Sequence, residues 1–141
     1  MAKPPRSATA GTFFITAVTH NRRRLFQVAE NADLLLQTLQ HYRREGLYKL
    51  HAFVVMPDHV HLLLTTEDLP RAIRHIKGGF SHRLASRLPV WQRGFTDHRI
   101  RDAQDFETRR NYIHQNPVRA HLSQTAEAYP YTSAPLSTIS A

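Results

Sequence analysis

The fold class this sequence predicts is an α+β sandwich: a four-stranded antiparallel sheet with helices on one face and one further helix at the C-terminal end. Three observations predict it. Strand-like and helix-like segments alternate along the 141 residues. Two strand segments, LHAFVVM and HVHLLLTT, are separated only by Pro57-Asp58, a gap too short for anything but a hairpin turn. The two longest helical segments each carry one apolar stripe, so each has one face to bury.

The first strand is TFFITAVTH (12–20), rich in β-branched and aromatic side chains, and the basic turn Asn21-Arg22-Arg23-Arg24 follows it. NADLLLQTLQHYRREG (31–46) predicts a helix in which Asn31 can cap the start, Leu35, Leu39 and Tyr42 share a face, and Gly46 can end it. After the hairpin, LPRAIRHIKGGFSHRLASRL (69–88) is helical by the stripe Leu69, Ile73, Ile76, Phe80 and Leu84. Gly78-Gly79 inside it costs about 1 kcal/mol per glycine relative to alanine, which points to a kink or to close approach by another backbone or a ligand. WQRGFTDHRIR (91–101) predicts the last strand, with poor alternation. DAQDFETRRNYIHQN (102–116) predicts the last helix, capped by Asp102, with Asp105 in its first turn and Phe106 and Ile113 toward the core, stopping near Pro117. The order β-α-β-β-α-β-α is that of a ferredoxin-like sandwich with an extra C-terminal helix. One domain, 1–141, accommodates all of it, with a loose N-terminal arm (1–11) and an irregular C-terminal tail (123–141).

Composition sets limits on function. At 41% hydrophobic, a chain of this length reads as globular, and it buries roughly two thirds of its unfolded surface. No apolar stretch approaches the ~20 residues that span a bilayer, and MAKPPRSATAG lacks the apolar core of a secretory signal. The expected location is therefore the cytoplasm, with the nucleoid if the partner is DNA. The absence of cysteine excludes disulfides and thiolate metal sites, leaving histidine and oxygen ligands. The formal charge is +8, from 19 Lys and Arg against 11 acids. The excess lies in the first two thirds of the chain, which suits a polyanion, nucleic acid first, as well as an Arg-rich solvated surface.

Two groups of residues can carry chemistry. His59-Val60-His61 opens the second hairpin strand, and alternate residues of a pleated strand share a face, so the two rings point the same way. Such a pair can bridge a metal ion, or be two satisfied core histidines. On the last helix Asp105, Thr108, Arg109, Tyr112 and Asn116 form a polar stripe at i, i+3 and i+4 spacing, with Gln115 close to it. A phenol and an amide then point the same way. The plainer alternative is an amphipathic helix whose Tyr112 ring packs at the core margin.

Three blocks, FVVMPDHVHLLL, WQRGFTDHRIR and NYIHQNPVRAHL, resemble in sequence and order the signature blocks of single-tyrosine transposases of the HUH superfamily. Within it the closest resemblance is to the REP-associated tyrosine transposases of bacteria, over Phe13 to Leu122. The resemblance implies that His59 and His61 bind a divalent metal, Mg²⁺ or Mn²⁺. It implies that Tyr112 attacks a single-stranded DNA phosphodiester, leaving a 5′-phosphotyrosine bond and a free 3′-OH. Asn116 matches the residue that helps complete the metal site; related insertion-sequence transposases more often have glutamine there, so Gln115 is the second candidate. Imidazole alone favours zinc-like ions and Mg²⁺ prefers oxygen, while Mn²⁺ is compatible with both. The implied substrate is a short palindromic repeat folded into a hairpin with a flanking single-stranded cleavage site.

Phosphate contact is the role expected of Arg22, Arg23 and Arg24 in the first turn and of Arg71, Arg74 and Lys77 on the second long helix. Arg109 can touch the scissile phosphate or pair with Asp105. Asp97 and His98 belong to the middle block without an assignable chemical role. A homodimer whose tyrosine helix serves the partner's metal site and a monomer acting in cis both remain open. Two further readings compete: a catalytically idle repeat-DNA-binding protein, and a metallo-phosphoesterase that uses metal-bound water and forms no covalent adduct.

Overall fold

The computed structural model describes residues 6–135. Its elements are α1 (Arg6–Thr9), β1 (Gly11–Val18), α2 (Ala29–Arg44), β2 (Lys49–Met56), β3 (His59–Thr66), α3 (Leu69–Leu84), β4 (Thr96–Arg99) and α4 (Ala103–Arg119). The strands form one sheet in the order β2-β3-β1-β4, with every neighbouring pair antiparallel. This is the ferredoxin-like arrangement expected from the element order.

Alternation along the strands divides the core in two. Phe13, Ile15, Val60, Leu62 and Leu64 face α2 and α3, meeting Leu35, Leu39, Ile73, Ile76 and Phe80. Phe14, Val54, Met56 and Leu63 face the other way and meet Ile113 of α4. The extra helix therefore covers the opposite face of the sheet. No helix among the described residues is long and apolar enough to cross a membrane.

Several boundaries differ from expectation. Asn31 does not cap α2. The helix starts at Ala29, and the Asn31 Nδ2 donates to the Leu25 carbonyl (2.8 Å) of a preceding 3₁₀ turn. The other end is as expected: Gly46 has φ 83°, its N–H donates to Arg43 O, and the Leu47 N–H donates to Tyr42 O, the Schellman pattern. α3 is capped by Asp68, whose carboxylate accepts the Arg71 N–H, and ends at Leu84 rather than 88. A Cβ on Gly79 would stand 2.6 Å from the Tyr42 hydroxyl, so close approach by α2 explains that glycine, whereas Gly78 has open space. Only Thr96–Arg99 of the expected last strand pairs in the sheet; Trp91 makes an isolated bridge to Thr19. α4 runs through Pro117 to Arg119, because the proline falls in the last turn, where one missing N–H breaks little of the ladder.

Both ends of the chain are more tied down than a loose arm and an irregular tail. Residues 1–5 and 136–141 lie outside the described residues, but Arg6–Thr9 is helical, and the Arg99 guanidinium donates to Ala8 O and Ala10 O. Near the other end Thr132 bridges to Val54, the Val55 N–H donates to Tyr131 O, and the Ser133 N–H donates to Phe53 O. Segment 131–133 thus lies along the outer edge of β2. The Ser133 hydroxyl also accepts the Phe53 N–H (2.8 Å) and sits 2.9 Å from His114 Nε2. Burial first, then Arg110, holds His114 below the usual imidazole pKa, which favours a neutral ring. Ser133→Ala removes the partner of two buried groups at once. It is expected to cost about 1–3 kcal/mol in denaturant unfolding; an unchanged midpoint would show that the tail contributes nothing to β2.

Candidate active site

The site is built on the α4 face of β3 and β1. Thr16 pairs with His61 and Val18 with His59 in the β1–β3 register, so the histidines and Thr16 project from one face, as the alternation requires. The two imidazole centroids are 4.7 Å apart at 75°. Each ring is held through its Nδ1. His59 Nδ1 lies 2.6 Å from Asp58 Oδ1, and His61 Nδ1 lies 2.8 Å from Thr16 Oγ1. A carboxylate only accepts, so His59 donates from Nδ1 and its Nε2 carries the lone pair when the ring is neutral. Thr16 is placed to accept in the same way. Neither Nε2 has a hydrogen-bond partner among the described residues.

The electrostatics favour a neutral, lone-pair-bearing His61. Burial, then His59, then the Arg119 charge push His61 down to about 3. Partial burial opposes ionisation of Asp58, but its hydrogen bond to His59 and the Arg22 guanidinium, 3.1 Å away, hold its carboxyl below the usual value.

Tyr112 completes the group. Its ring meets His61 edge-on at 5.6 Å and Phe14 at 5.7 Å, and Phe14 stacks on His61 at 5.2 Å. The ring is 37% exposed, so one side faces solvent while the other leans on the imidazole. The Arg119 guanidinium carbon lies 4.3 Å from the ring centroid on the same helix. Asn116, half-buried, follows one turn after Tyr112, and Gln115 is exposed. Among the described residues no group of three His, Cys, Asp or Glu could hold a metal. For an ion at His59 and His61, a third protein ligand would come from another kind of side chain, such as an amide.

The expected phosphate contacts separate. Arg22 reaches Asp58 and so borders the histidines. Arg23 Nη1 donates to Pro89 O (2.9 Å), and Arg24 is exposed. Lys77 donates to Gln92 O and Gly94 O (2.9 and 2.7 Å), which makes it a prop for that loop, against the expectation of a free phosphate contact. Arg71 and Arg74 are exposed on α3, across the sheet from the histidines. Arg109 lies over Phe14 with its Cζ 5.3 Å from the centroid, and its buried Nε, 3.6 Å from Asp105, has no hydrogen-bond partner.

Sequence reasoning missed four participants. Thr16 is visible only once the β1–β3 register is known. Asp58 looks like a turn residue until it is seen holding His59. Arg119 continues the Tyr112–Asn116 stripe, but an assumed stop at Pro117 hides it. His98, left without a role, has its Nε2 2.8 Å from Asp105 Oδ2, which also accepts the Arg101 N–H, so the middle block fastens the start of α4 to β4.

Residues 9–116 match the model of the family described as "Transposase IS200 like". The chain is 28% identical over 127 residues to a REP-associated tyrosine transposase of Escherichia coli K12, covering 87% of this chain and 76% of that protein. It is 30% identical over 143 residues to a Haemophilus influenzae protein given the same description provisionally, covering 87% and 79%. In structure it is similar to a REP-associated tyrosine transposase bound to a REP hairpin, with TM-score 0.80, 27% identity, and 94% and 82% of the two chains covered.

The depressed pKa of His61 makes stability depend on pH with a definite sign. The unfolded chain takes up a proton near 6.5 that the folded site refuses until about 3. Stabilisation is thus complete above 6.5 and is lost as pH falls through that window. The metal-free chain's melting temperature should fall across it, and less steeply in His61→Gln; parallel curves would contradict a buried neutral ring.

Proposed function

The chain belongs to the IS200-like transposase family, among its REP-associated tyrosine transposases, and we propose that it is a metal-dependent single-stranded DNA endonuclease and strand transferase with Tyr112 as its nucleophile. The observation that carries this reading is the meeting of Tyr112 with His61, whose ring in turn lies against His59, inside one chain. A phenol leaning on one of a pair of oriented imidazoles is more than an amphipathic helix needs to pack.

The residues fit a divalent ion. Each Nδ1 is tied to an oxygen and each Nε2 is without a partner, which is how outer oxygens orient histidine ligands. Asn116 is the third donor in this reading, and Gln115 its alternative. When bound, Mg²⁺ or Mn²⁺ supplies positive charge that draws electron density from the scissile phosphate and keeps it in line.

The chain's own groups do the rest. Tyr112 Oη forms a bond to phosphorus and gives up the phenolic proton. The bond from phosphorus to the 3′ oxygen breaks, and that oxygen takes up a proton. The products are a 5′-phosphotyrosine and a 3′-OH, and the retained ester energy lets the break be rejoined to another strand. A free phenol, with pKa near ~10, is a weak nucleophile at neutral pH. Arg119 lies over its ring and holds the ring's tilt. The orphaned Arg109 Nε is a buried donor awaiting an acceptor, and a phosphate oxygen supplies one.

The substrate in this reading is hairpin DNA with a single-stranded flank, supported by the hairpin bound to the structural relative. Arg22 and Arg24 sit where the flank's phosphates would pass, and Arg71 and Arg74 serve DNA that extends beyond the site. The contact of Tyr112 with His61 of its own chain supports action in cis, within one domain that acts on DNA in the cytoplasm in this reading.

The test is a denaturing gel with Mn²⁺ and labelled hairpin DNA. Wild type should yield a protein band carrying label. Tyr112→Phe should abolish cleavage with DNA binding nearly intact; cleavage persisting without an adduct would mean a water nucleophile, and no cleavage by wild type would mean an idle binder. His59→Ala with His61→Ala should remove metal-dependent cutting from a chain that still folds, whereas collapse of the fold would favour core histidines. Asp58→Ala should weaken metal affinity about 10- to 100-fold by calorimetry, since it orients His59.

A further inference from the structure

Gly78 stands exposed in the middle of α3, with nothing within 4 Å of where a Cβ would be and no positive φ. Neither packing nor backbone geometry requires a glycine there, and alanine would make a more stable helix. Gly78 lines a hollow of about 460 Å³ between α2 and α3, walled by Tyr42, Arg74, His75, His82 and Arg83. An adjoining hollow of about 470 Å³ shares Arg83 and adds His41 and Arg44. Among the described residues no acidic side chain lines either one, although His41 pairs with Glu45 at 3.1 Å. Arg83 lies against the Tyr42 ring and donates to Gly79 O, while Arg74 and His82 are exposed and make no hydrogen bond or ion pair among the described residues.

The same stretch of α3 is joined to the catalytic end of the sheet. The Trp91 Nε1–H donates to Lys77 O (3.1 Å), and the Trp91 ring lies 5.7 Å from Phe80. Trp91 bridges to Thr19, whose N–H donates to Asp58 O (3.0 Å) beside His59. Arg22 and Arg24 extend from the turn at that end. Trp91 and Thr19 thus tie the α3 stretch below the hollow to the end of the sheet where His59, Arg22 and Arg24 stand.

We infer that the basic hollow between α2 and α3 is a second DNA-binding site, which receives backbone phosphates of the duplex stem while the single-stranded flank lies at Tyr112. A glycine floor lets the sugar-phosphate backbone come closer than any side chain would allow, which accounts for a residue the helix alone does not want. This rests on the hairpin substrate proposed above.

The experiment measures affinity against salt for a stem-loop with its flank and for the flank alone, using the full chain, Arg74→Ala with His82→Ala, and Gly78→Ala. The double variant should bind the stem-loop about tenfold more weakly, with a log–log salt slope shallower by about 0.9 for each phosphate no longer neutralised, and the flank with an unaltered slope. Gly78→Ala should melt at a higher temperature yet bind the stem-loop more weakly. Unchanged stem-loop affinity and slope in the double variant, or equal weakening for stem-loop and flank, would overturn the second site alone. A wild-type chain that binds the stem-loop no more tightly than the flank would overturn the hairpin substrate as well, so the two failures are distinguishable.

Discussion

The register between β1 and β3 is the constraint on which the rest of this structure depends. With Phe14 opposite Leu63 and Thr16 opposite His61, one strand serves two faces at once. Val60, Leu62 and Leu64 close the core under α2 and α3, while His59 and His61 turn to α4. Side chains alternate with a period of two, so a slip of one residue would put two imidazoles into the apolar core and three aliphatic side chains against Tyr112. The burial that stabilises the fold and the presentation of the histidines are therefore fixed by the same pairing. The apolar run after His61 is what makes that pairing unambiguous.

The second half of the site needs α4 held at the right height and rotation, and polar contacts at its N-terminal end do that. The Asp105 carboxylate meets His98 of β4, the Arg101 N–H and, more distantly, the Arg109 guanidinium. Asp102 caps the helix at the same end through the Asp105 N–H. Seven residues on from Asp105, Tyr112 arrives beside His61, and Ile113 locks the rotation by entering the core between Val54 and Leu63. The helix face that carries Tyr112 is thus set by a carboxylate at one end and an aliphatic side chain in the middle.

The element order, the hairpin, the ferredoxin-like topology and the apolar stripe of α3 were all legible in the sequence, because each rests on local periodicity or turn chemistry. So was the common face of His59 and His61. Most of the failures share a cause: they turned on an interaction between segments that local pattern does not connect. Asn31 looked like a cap because nothing local reveals that its amide is taken by Leu25 O. Lys77 looked like a surface charge because the loop carrying Gln92 and Gly94 is remote in sequence. Thr16 and His98 gained roles only through partners on other elements. Pro117 misled for the opposite reason: a rule for helix interiors was applied to a last turn, and Arg119 beyond it was hidden from view.

The strip of chain at 131–133 has a consequence for how copies of this protein can meet. By hydrogen-bonding along the outer side of β2 it occupies backbone groups that would otherwise offer a template to a stranger's strand. The opposite edge, β4, has only four residues. Neither side of the sheet invites extension, so merging two sheets into one would first require peeling that strip away. A transposase of this family thus keeps the backbone of its longer sheet edge out of reach.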